Sequence, residues 1–230
     1  YGYILVYYYP LSDVAHFQTQ GIQEFHLLFN HPYEYLTNIF QNHHSKGYGN
    51  FLESSDSYWN DTRSNLIEKM LSIFDMFSGT NYFINTIFYN FLVFFGGVAL
   101  YRVFINVFPS EKTALIVCIF LLPSAIFFSS AIHRDGLILL SLSMVIYHLY
   151  FMMKTKTYPI KKILITLFFL LLILLIRNFV FITIVPALVA WIVAQQKPRY
   201  AFQIFAGIYL FLGVLFFLSA LLPNAYNLPA

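Results

Sequence analysis

Ionisable residues beside apolar runs are the first candidates for chemistry in this sequence. His133-Arg134-Asp135-Gly136 stands between two apolar runs, and Arg177 interrupts a third. Charges at a membrane edge are costly and are candidates for function. A guanidinium group binds phosphate oxygens through paired hydrogen bonds, so Arg134 and Arg177 could hold an anionic head group beside His133 and Asp135. The alternatives are a solvated Asp-Gly hairpin turn and an arginine that simply ends a span.

A carboxylate follows the first apolar segment closely. Asp13 lies four residues after that segment ends at Tyr9. At a membrane surface, this carboxylate could take a proton from an acceptor hydroxyl or attract a cation. It could equally cap a helix that begins at Val14, a position for which Asp is strongly preferred. Asp13 is therefore the candidate catalytic base, with the helix cap as the alternative.

A polar segment with two aromatic residues covers residues 55–65. It contains Asp56, Asp61 and Arg63. Carboxylates bind sugar hydroxyls, aromatic faces stack on sugar rings, and arginine binds phosphate, so the segment could bind a sugar or a sugar phosphate. An ordinary loop followed by a helix cap has the same composition, and both interpretations stay open.

The composition indicates that these residues belong to a membrane protein. Hydrophobic residues make up 59% of the 230 residues and charged residues 10%, whereas globular chains carry roughly 25% charged residues. The mean hydropathy of +0.68 agrees. This composition excludes a disordered, collagen-like or coiled-coil protein, and the single cysteine, Cys118, excludes a disulfide scaffold.

No sequence pattern of a metal site or a nucleotide-binding loop is present. The seven histidines lack clustered Cys or Glu partners, and neither a glycine-rich phosphate loop nor a metalloprotease motif occurs. We therefore predict no metal site, and the cofactor stays unknown. Gly96-Gly97 indicates close helix packing rather than phosphate binding.

The predicted fold is all-α, a polytopic bundle of about seven transmembrane helices with a long external loop. A bilayer core needs about 20 mostly apolar residues per helix. Residues 1–9 form the end of a first span, 10–81 the external loop, 82–222 six further spans, and 223–230 an external tail. The six predicted spans after the loop cover residues 82–108, 113–132, 137–153, 160–176, 179–194 and 201–222. We expect the chain to be a piece of a longer protein.

Basic residues are distributed unevenly about these spans. If the loops after the second, fourth and sixth spans are cytoplasmic, that side carries eight basic residues against Glu111 alone, a net charge of +7. The other side carries five basic residues against nine carboxylates, a net charge of −4, and together they give +3. This follows the positive-inside rule. The net charge thus reports topology, and we expect no nucleic-acid partner.

The external loop contains two predicted amphipathic helices. Apolar residues recur at helical spacing over residues 14–29 and again over residues 61–77. Both helices could lie along the bilayer surface. With the orientation above, this loop, the His133–Gly136 turn and Arg177 all share the external face.

The layout resembles bacterial polytopic glycosyltransferases of the C-type superfamily and related polysaccharide-polymerase-like membrane proteins. The residues that carry the resemblance are Tyr9-Pro10-Leu11-Ser12-Asp13 before a long external loop, the run Leu122–Ser130 (LPSAIFFSS) leading into His133–Gly136, and Arg177 at a span end. The resemblance covers residues 1–180 in layout. Members of the superfamily usually have more spans than seven and a second acidic motif, which Asp56 or Asp61 would supply here.

The resemblance implies an enzyme that uses a polyprenyl-phosphate or diphosphate sugar as donor. It makes Asp13 the base that activates the acceptor, with Arg134 and Arg177 as phosphate binders. The expected function is therefore an integral, glycosyltransferase-like protein of the bacterial inner (plasma) membrane, in contact with lipids and a polyprenyl-linked sugar. The alternative is a non-catalytic integral subunit that packs on other membrane subunits. A transporter is disfavoured, because the spans carry almost no charge at the bilayer midplane.

Overall fold

The structure is a computed structural model that describes residues 13–38, 58–122 and 131–219. Within these ranges the chain is helical and contains no strand, which confirms the all-α prediction for this part of the chain. The elements in chain order are α1 (Asp13–Asn30), α2 (Pro32–Thr37), α3 (Tyr58–Ser78), α4 (Tyr82–Val107), α5 (Lys112–Ile116) with a π-helical continuation (Val117–Leu121), α6 (Arg134–Thr155), α7 (Ile160–Ile176), α8 (Asn178–Gln196), a 3₁₀ turn (Pro198–Tyr200) and α9 (Ala201–Ser219).

Four helical segments are long and apolar enough to cross a membrane. They are Tyr82–Val107, Arg134–Thr155, Asn178–Gln196 and Pro198–Leu215, and they coincide with the predicted second, fourth, sixth and seventh spans. The fifth predicted span corresponds to α7, an apolar helix of 17 residues. Part of the third predicted span is described, as the helix Lys112–Leu121. Residues 123–130 and the first predicted span lie outside the described residues.

The two amphipathic helices predicted in the long loop are present as α1 and α3, and they pack antiparallel. Gly21 makes this approach close, because a Cβ atom added there would lie 2.9 Å from the Cβ atom of Leu71. Further along the pair, Lys69 Nζ makes an ion pair of 2.8 Å with Glu24 Oε2. The apolar sides of α1 and α3 lie against α4 and the adjoining ends of α6 and α7, in one buried cluster that includes Val14, Phe17, Ile67, Leu71, Tyr82, Tyr89, Ile132, Leu137 and Ile176.

A tight turn connects α3 to α4 and directs the chain from the amphipathic layer into the first described span. Gly79 and Thr80 both have positive φ angles, 59° and 66°. Asn81 then caps α4, since its side-chain oxygen accepts the backbone N–H groups of Phe83 at 3.0 Å and Ile84 at 3.4 Å. The cap satisfies donors that would otherwise lack a partner at the start of a helix.

Helices α4 and α6 run side by side in the same direction. Tyr89 contacts the start of α6, Gly96 lies against Leu140, and the Lys154 ammonium group donates to the Asn106 side chain at 2.8 Å. Because the two helices are parallel, the chain between them must return to the end at which α4 begins. This geometry fits a crossing segment between them, as the sequence predicts for the third span.

The prediction of close packing at Gly96-Gly97 is confirmed. A Cβ atom on Gly96 would lie 2.7 Å from the Cα atom of Leu140, and one on Gly97 would lie 2.6 Å from Cε1 of Phe120. The Gly96 contact is with backbone, which cannot move aside as a side chain can. The absence of a side chain at this position therefore sets the distance between α4 and α6.

We expect Gly96→Ala to destabilise the protein by about 1–3 kcal/mol, the usual cost of overpacking a buried contact. The measurement is thermal unfolding of the purified protein in detergent. Gly213→Ala in α9 is the matched control, because nothing lies within 4 Å of a Cβ atom there. Equal unfolding temperatures for the two variants would contradict the close approach of α4 and α6.

Candidate functional site

The candidate site lies at the start of α6, where a buried tyrosine holds the backbone. His133 is the N-cap residue of α6, and its carbonyl oxygen accepts a hydrogen bond from the Tyr89 hydroxyl. Tyr89 belongs to α4 and is fully buried. A phenol that donates to a backbone carbonyl in apolar surroundings fixes both partners, because leaving either group unpaired is costly.

Gly136 leaves the space that Tyr89 occupies. A Cβ atom at Gly136 would overlap the Tyr89 hydroxyl and lie 3.0 Å from its Cζ atom. Asp135 and Gly136 belong to the first turn of α6, so the tetrapeptide begins a helix and does not form the hairpin turn that the sequence left open. Asp135 in this turn is favourably placed for the positive end of the helix dipole.

Arg134 lies on an aromatic ring supplied by α1. Its guanidinium carbon is 4.8 Å from the centroid of the Phe17 ring, and Phe17 is only 1% exposed. Guanidinium groups favour the face of an aromatic ring, by about 0.5–1 kcal/mol at exposed sites and more where water is excluded. The amphipathic layer therefore contributes directly to the position of Arg134.

Arg177 reaches the same place from the end of α7. Its Nη2 atom lies 3.2 Å from Oδ1 of Asp135, and its guanidinium carbon lies 5.5 Å from the centroid of the Phe179 ring. Both members of the ion pair keep more than a third of their side-chain surface exposed. Such a pair adds little to stability, but it directs Arg177 towards the start of α6. Arg177 is thus held beside the first turn of α6, the turn to which Arg134 also belongs.

Asp13 is placed at the same end of the bundle by the backbone of α1. It is the first residue of that helix, and its neighbour Val14 is buried in the cluster that includes Ile132 and Ile176. Those two residues directly precede His133 and Arg177 in the sequence. The fold therefore brings the start of α1 to the end of the bundle that carries the arginines. The role of Asp13 as a base or a cap stays a prediction.

Of the other predicted binding residues, Asp61 and Arg63 are not brought to this end. Asp61 and Arg63 lie in the first two turns of α3, whereas the part of α3 that faces the start of α1 lies near Asp75. At 1.5 Å of rise per residue, Arg63 is about 18 Å along the helix from Asp75. Asp56 lies outside the described residues. A sugar-binding role for these three residues stays a prediction.

Two residues that position the arginines were not singled out by the sequence pattern. Phe17 counted only as one apolar residue of an amphipathic helix, and Tyr89 as one aromatic residue of a span. The available signal was weak: Tyr89 is a polar aromatic residue inside an apolar run, and Gly136 lies in the first turn of a helix. Neither feature identifies its partner.

The arrangement suits recognition of an anion. Arg134 and Arg177 bring two guanidinium groups to this end of the bundle, where Asp135 and the start of α1 with Asp13 also lie. Guanidinium groups bind phosphate oxygens bidentately. Among the residues described, no group of three or more His, Cys, Asp or Glu side chains could hold a metal ion.

A separate apolar cavity of about 400 Å³ lies between α4, α5 and α6. None of the predicted site residues lines it. Its walls are Gly97, Leu100, Phe104, Phe108, Leu115, Cys118, Ile119 and Leu139. The cavity offers apolar volume and Cys118 but no charged group, so it adds nothing to anion binding.

Comparison with known proteins adds no relative: no protein-family model matches the chain, and neither a curated protein nor a solved structure does.

We expect Tyr89→Phe to lower the free energy of unfolding by about 1–3 kcal/mol, because the His133 carbonyl loses a buried donor. The measurement is thermal or denaturant unfolding in detergent. Tyr209→Phe is the matched control, since its hydroxyl donates to the Thr183 carbonyl at 3.0 Å at an exposed site. Equal losses in the two variants would show that the Tyr89 bond does not anchor α6.

Proposed function

We propose that this chain is a glycosyltransferase-like membrane protein of about seven spans that binds a polyprenyl-phosphate-linked sugar at the external face of a bacterial inner membrane. One observation carries the proposal. Arg134 and Arg177 are far apart in the sequence and come from different helices, yet Phe17 and Asp135 hold them at the same end of the bundle. A phosphate group at this end could contact both guanidinium groups.

The location of the site suits a substrate that stays in the membrane. Arg134 begins one candidate span, and Arg177 precedes another. A lipid-linked phosphate therefore could reach both arginines while its polyprenyl chain stays among the helices. The exposed basic residues of the opposite end, including Lys154, Lys156 and Lys161, follow the positive-inside pattern. This pattern supports an external location for the two arginines.

The proposed roles follow from the chemistry of each group. Arg134 and Arg177 neutralise the charge that grows on the leaving phosphate, which is how positioned donors stabilise a transition state. Asp13 takes the proton of the acceptor hydroxyl, since it starts α1 at the same end of the bundle. Asp135 orients Arg177 and lowers the net positive charge of the site.

We expect Arg134→Gln and Arg177→Gln each to reduce transfer of a labelled sugar from a polyprenyl-phosphate donor by about 10²- to 10³-fold, as the loss of one charge-stabilising donor does elsewhere. The measurement is steady-state turnover in reconstituted membranes. Arg199→Gln is the matched control, because Arg199 is exposed in the positively charged loop between α8 and α9. Equal rates in all three variants would contradict the phosphate-binding role.

The role of Asp13 has a separate test. Asp13→Asn removes the base without changing the size of the side chain, so we expect turnover to fall by about 10²- to 10⁴-fold while the affinity for the lipid-linked donor stays the same. Unchanged turnover would remove Asp13 from the mechanism and leave it as a helix cap.

A second candidate function is that of a non-catalytic subunit in a larger membrane assembly. The observation that favours it is the exposure of α9: in the candidate span Pro198–Leu215 no residue is buried within the chain, and Phe202, Leu210 and Phe217 are each more than two thirds exposed. This function predicts stable copurification with other membrane chains and unchanged activity of the assembly after Arg134→Gln or Arg177→Gln.

A further inference from the structure

A buried carboxyl group lies where α1, α3 and α4 meet. Asp75 of α3 and Asn85 of α4 are both fully buried. The Asn85 Nδ2 group donates to Asp75 Oδ1 at 2.7 Å and lies 3.3 Å from the side-chain oxygen of Gln18 on α1. Ser78 approaches the same Asp75 oxygen at 3.4 Å. Side chains from three helices therefore meet in this contact.

Two oxygen atoms of this cluster find no donor among the described residues. They are Oδ2 of Asp75 and Oδ1 of Asn85, both inaccessible to solvent. Oδ2 of Asp75 faces the backbone of α1, since a Cβ atom on Gly21 would lie 3.7 Å from it. Buried polar atoms are nearly always paired, and an unpaired buried carboxylate oxygen is costly.

A proton on Asp75 supplies the missing donor. A carboxylic acid and a primary amide form a ring when the amide N–H meets one acid oxygen and the acid O–H meets the amide carbonyl. The first of these two bonds is present at 2.7 Å. A proton on Oδ2 would form the second bond with Asn85 Oδ1 and so satisfy both oxygen atoms together.

The environment of Asp75 favours the neutral acid. Burial raises the pKa of its carboxyl group, because the charged form loses its hydration, while the hydrogen bonds from Asn85 and Ser78 and the nearby side-chain amide of Gln18 act in the opposite direction. Within the described part of the chain, no arginine or lysine is among the groups that stabilise its charge.

The charged groups described on the surrounding helices are paired, exposed or some distance along the helix from Asp75. Glu68 lies two turns earlier on the same face of α3, and Lys69 pairs with Glu24 of α1 at 2.8 Å. Tyr82, at the start of α4, is buried. Among the other titratable side chains that the structure describes on α1 and on the adjoining ends of α4 and α7, His16 and His26 are exposed, and Tyr89 and Arg177 are bonded elsewhere.

We propose that Asp75 and Asn85 form a proton-binding clasp, in which the protonated acid and the amide fasten α3 to α4 beneath α1, and that loss of the proton loosens α1. The clasp does not depend on the proposed function. It does act on the same helix, because Gln18 follows Phe17 directly. Loosening of α1 would therefore withdraw the ring on which Arg134 lies.

The sign of the pH dependence follows from the two states of the clasp. In the opened state Asp75 is solvated and has its ordinary pKa of 3.8, and in the closed state that pKa is higher. The closed state is favoured fully at pH values below 3.8. Between the two pKa values the equilibrium constant for opening rises tenfold per pH unit, and above the higher value it is constant.

Infrared difference spectroscopy of the full chain in lipid nanodiscs tests the proton directly. We expect a protonated carboxyl band that titrates with a midpoint above 3.8, that is lost in Asp75→Asn and that is kept in Glu34→Gln, whose parent side chain is exposed. Glu34→Gln removes a carboxylate of ordinary environment. A band that is insensitive to Asp75→Asn, or a midpoint at or below 3.8, overturns the clasp.

Thiol labelling tests the opening of α1. Cys118 is the single cysteine, so a Cys118→Ser background with Val14→Cys reports on α1 alone, because Val14 is buried against the bundle. The rate of maleimide modification in the protein with Asp75 is divided by the rate in the protein with Asp75→Asn. This ratio cancels the intrinsic pH dependence of the thiol. We expect this ratio to rise by up to tenfold per pH unit and then level off.

Asp75→Asn keeps both hydrogen bonds of the clasp, since its amide can donate to Asn85 Oδ1 without taking up a proton. The variant should therefore stay closed at every pH, and Glu34→Gln should follow the parent. A ratio that is constant from about pH 4 to about pH 8, or a more open α1 in Asp75→Asn than in the parent, overturns the proposal.

Discussion

The start of α6 lies directly over a buried tyrosine, and the charged end of the bundle depends on that contact. Tyr89 donates to the His133 carbonyl, and Gly136 leaves space for its ring. With this turn held in place, Arg134 lies over Phe17 and the next residue of α6 lies within reach of the end of α7. A single close approach of α4 to α6 thus positions charged groups from several helices, and binding a phosphate would require little further ordering of these side chains.

Helix α1 connects this charged end to the buried polar cluster beside it. Phe17 contacts Arg134, and Gln18 contacts Asn85. Neighbouring residues of one helix therefore serve both places, and a change in the attachment of α1 must reach the arginine. Asp75 is the titratable member of the polar cluster, and burial raises the pKa of its carboxyl group. The proton on Asp75 and the placement of Arg134 are in this way linked through packing alone.

The sequence predicted elements better than contacts, for a physical reason. Apolar runs and helical spacing are properties of each segment by itself, so the four candidate spans and the helices α1 and α3 can be predicted from the sequence. Contacts between helices depend on rotation and register, which a pattern does not determine. From the sequence, Arg177 and Asp135 could be expected only to lie on the same side of the membrane. The contact between Asp75 and Asn85 could not be predicted, because each is one of several polar residues in an amphipathic or apolar segment.

The most direct test of the phosphate site is to measure contact between a phosphate group and the two arginines. The protein, labelled with ¹⁵N at arginine, is reconstituted with a polyprenyl phosphate, and ³¹P–¹⁵N dipolar dephasing is recorded by solid-state NMR. If Arg134 and Arg177 bind the phosphate, guanidinium nitrogen signals dephase in the parent and in Arg199→Gln, and the effect is lost when Arg134→Gln and Arg177→Gln are combined. Absence of dephasing in the parent, or equal dephasing in the doubly substituted protein, would contradict a phosphate site at the start of α6.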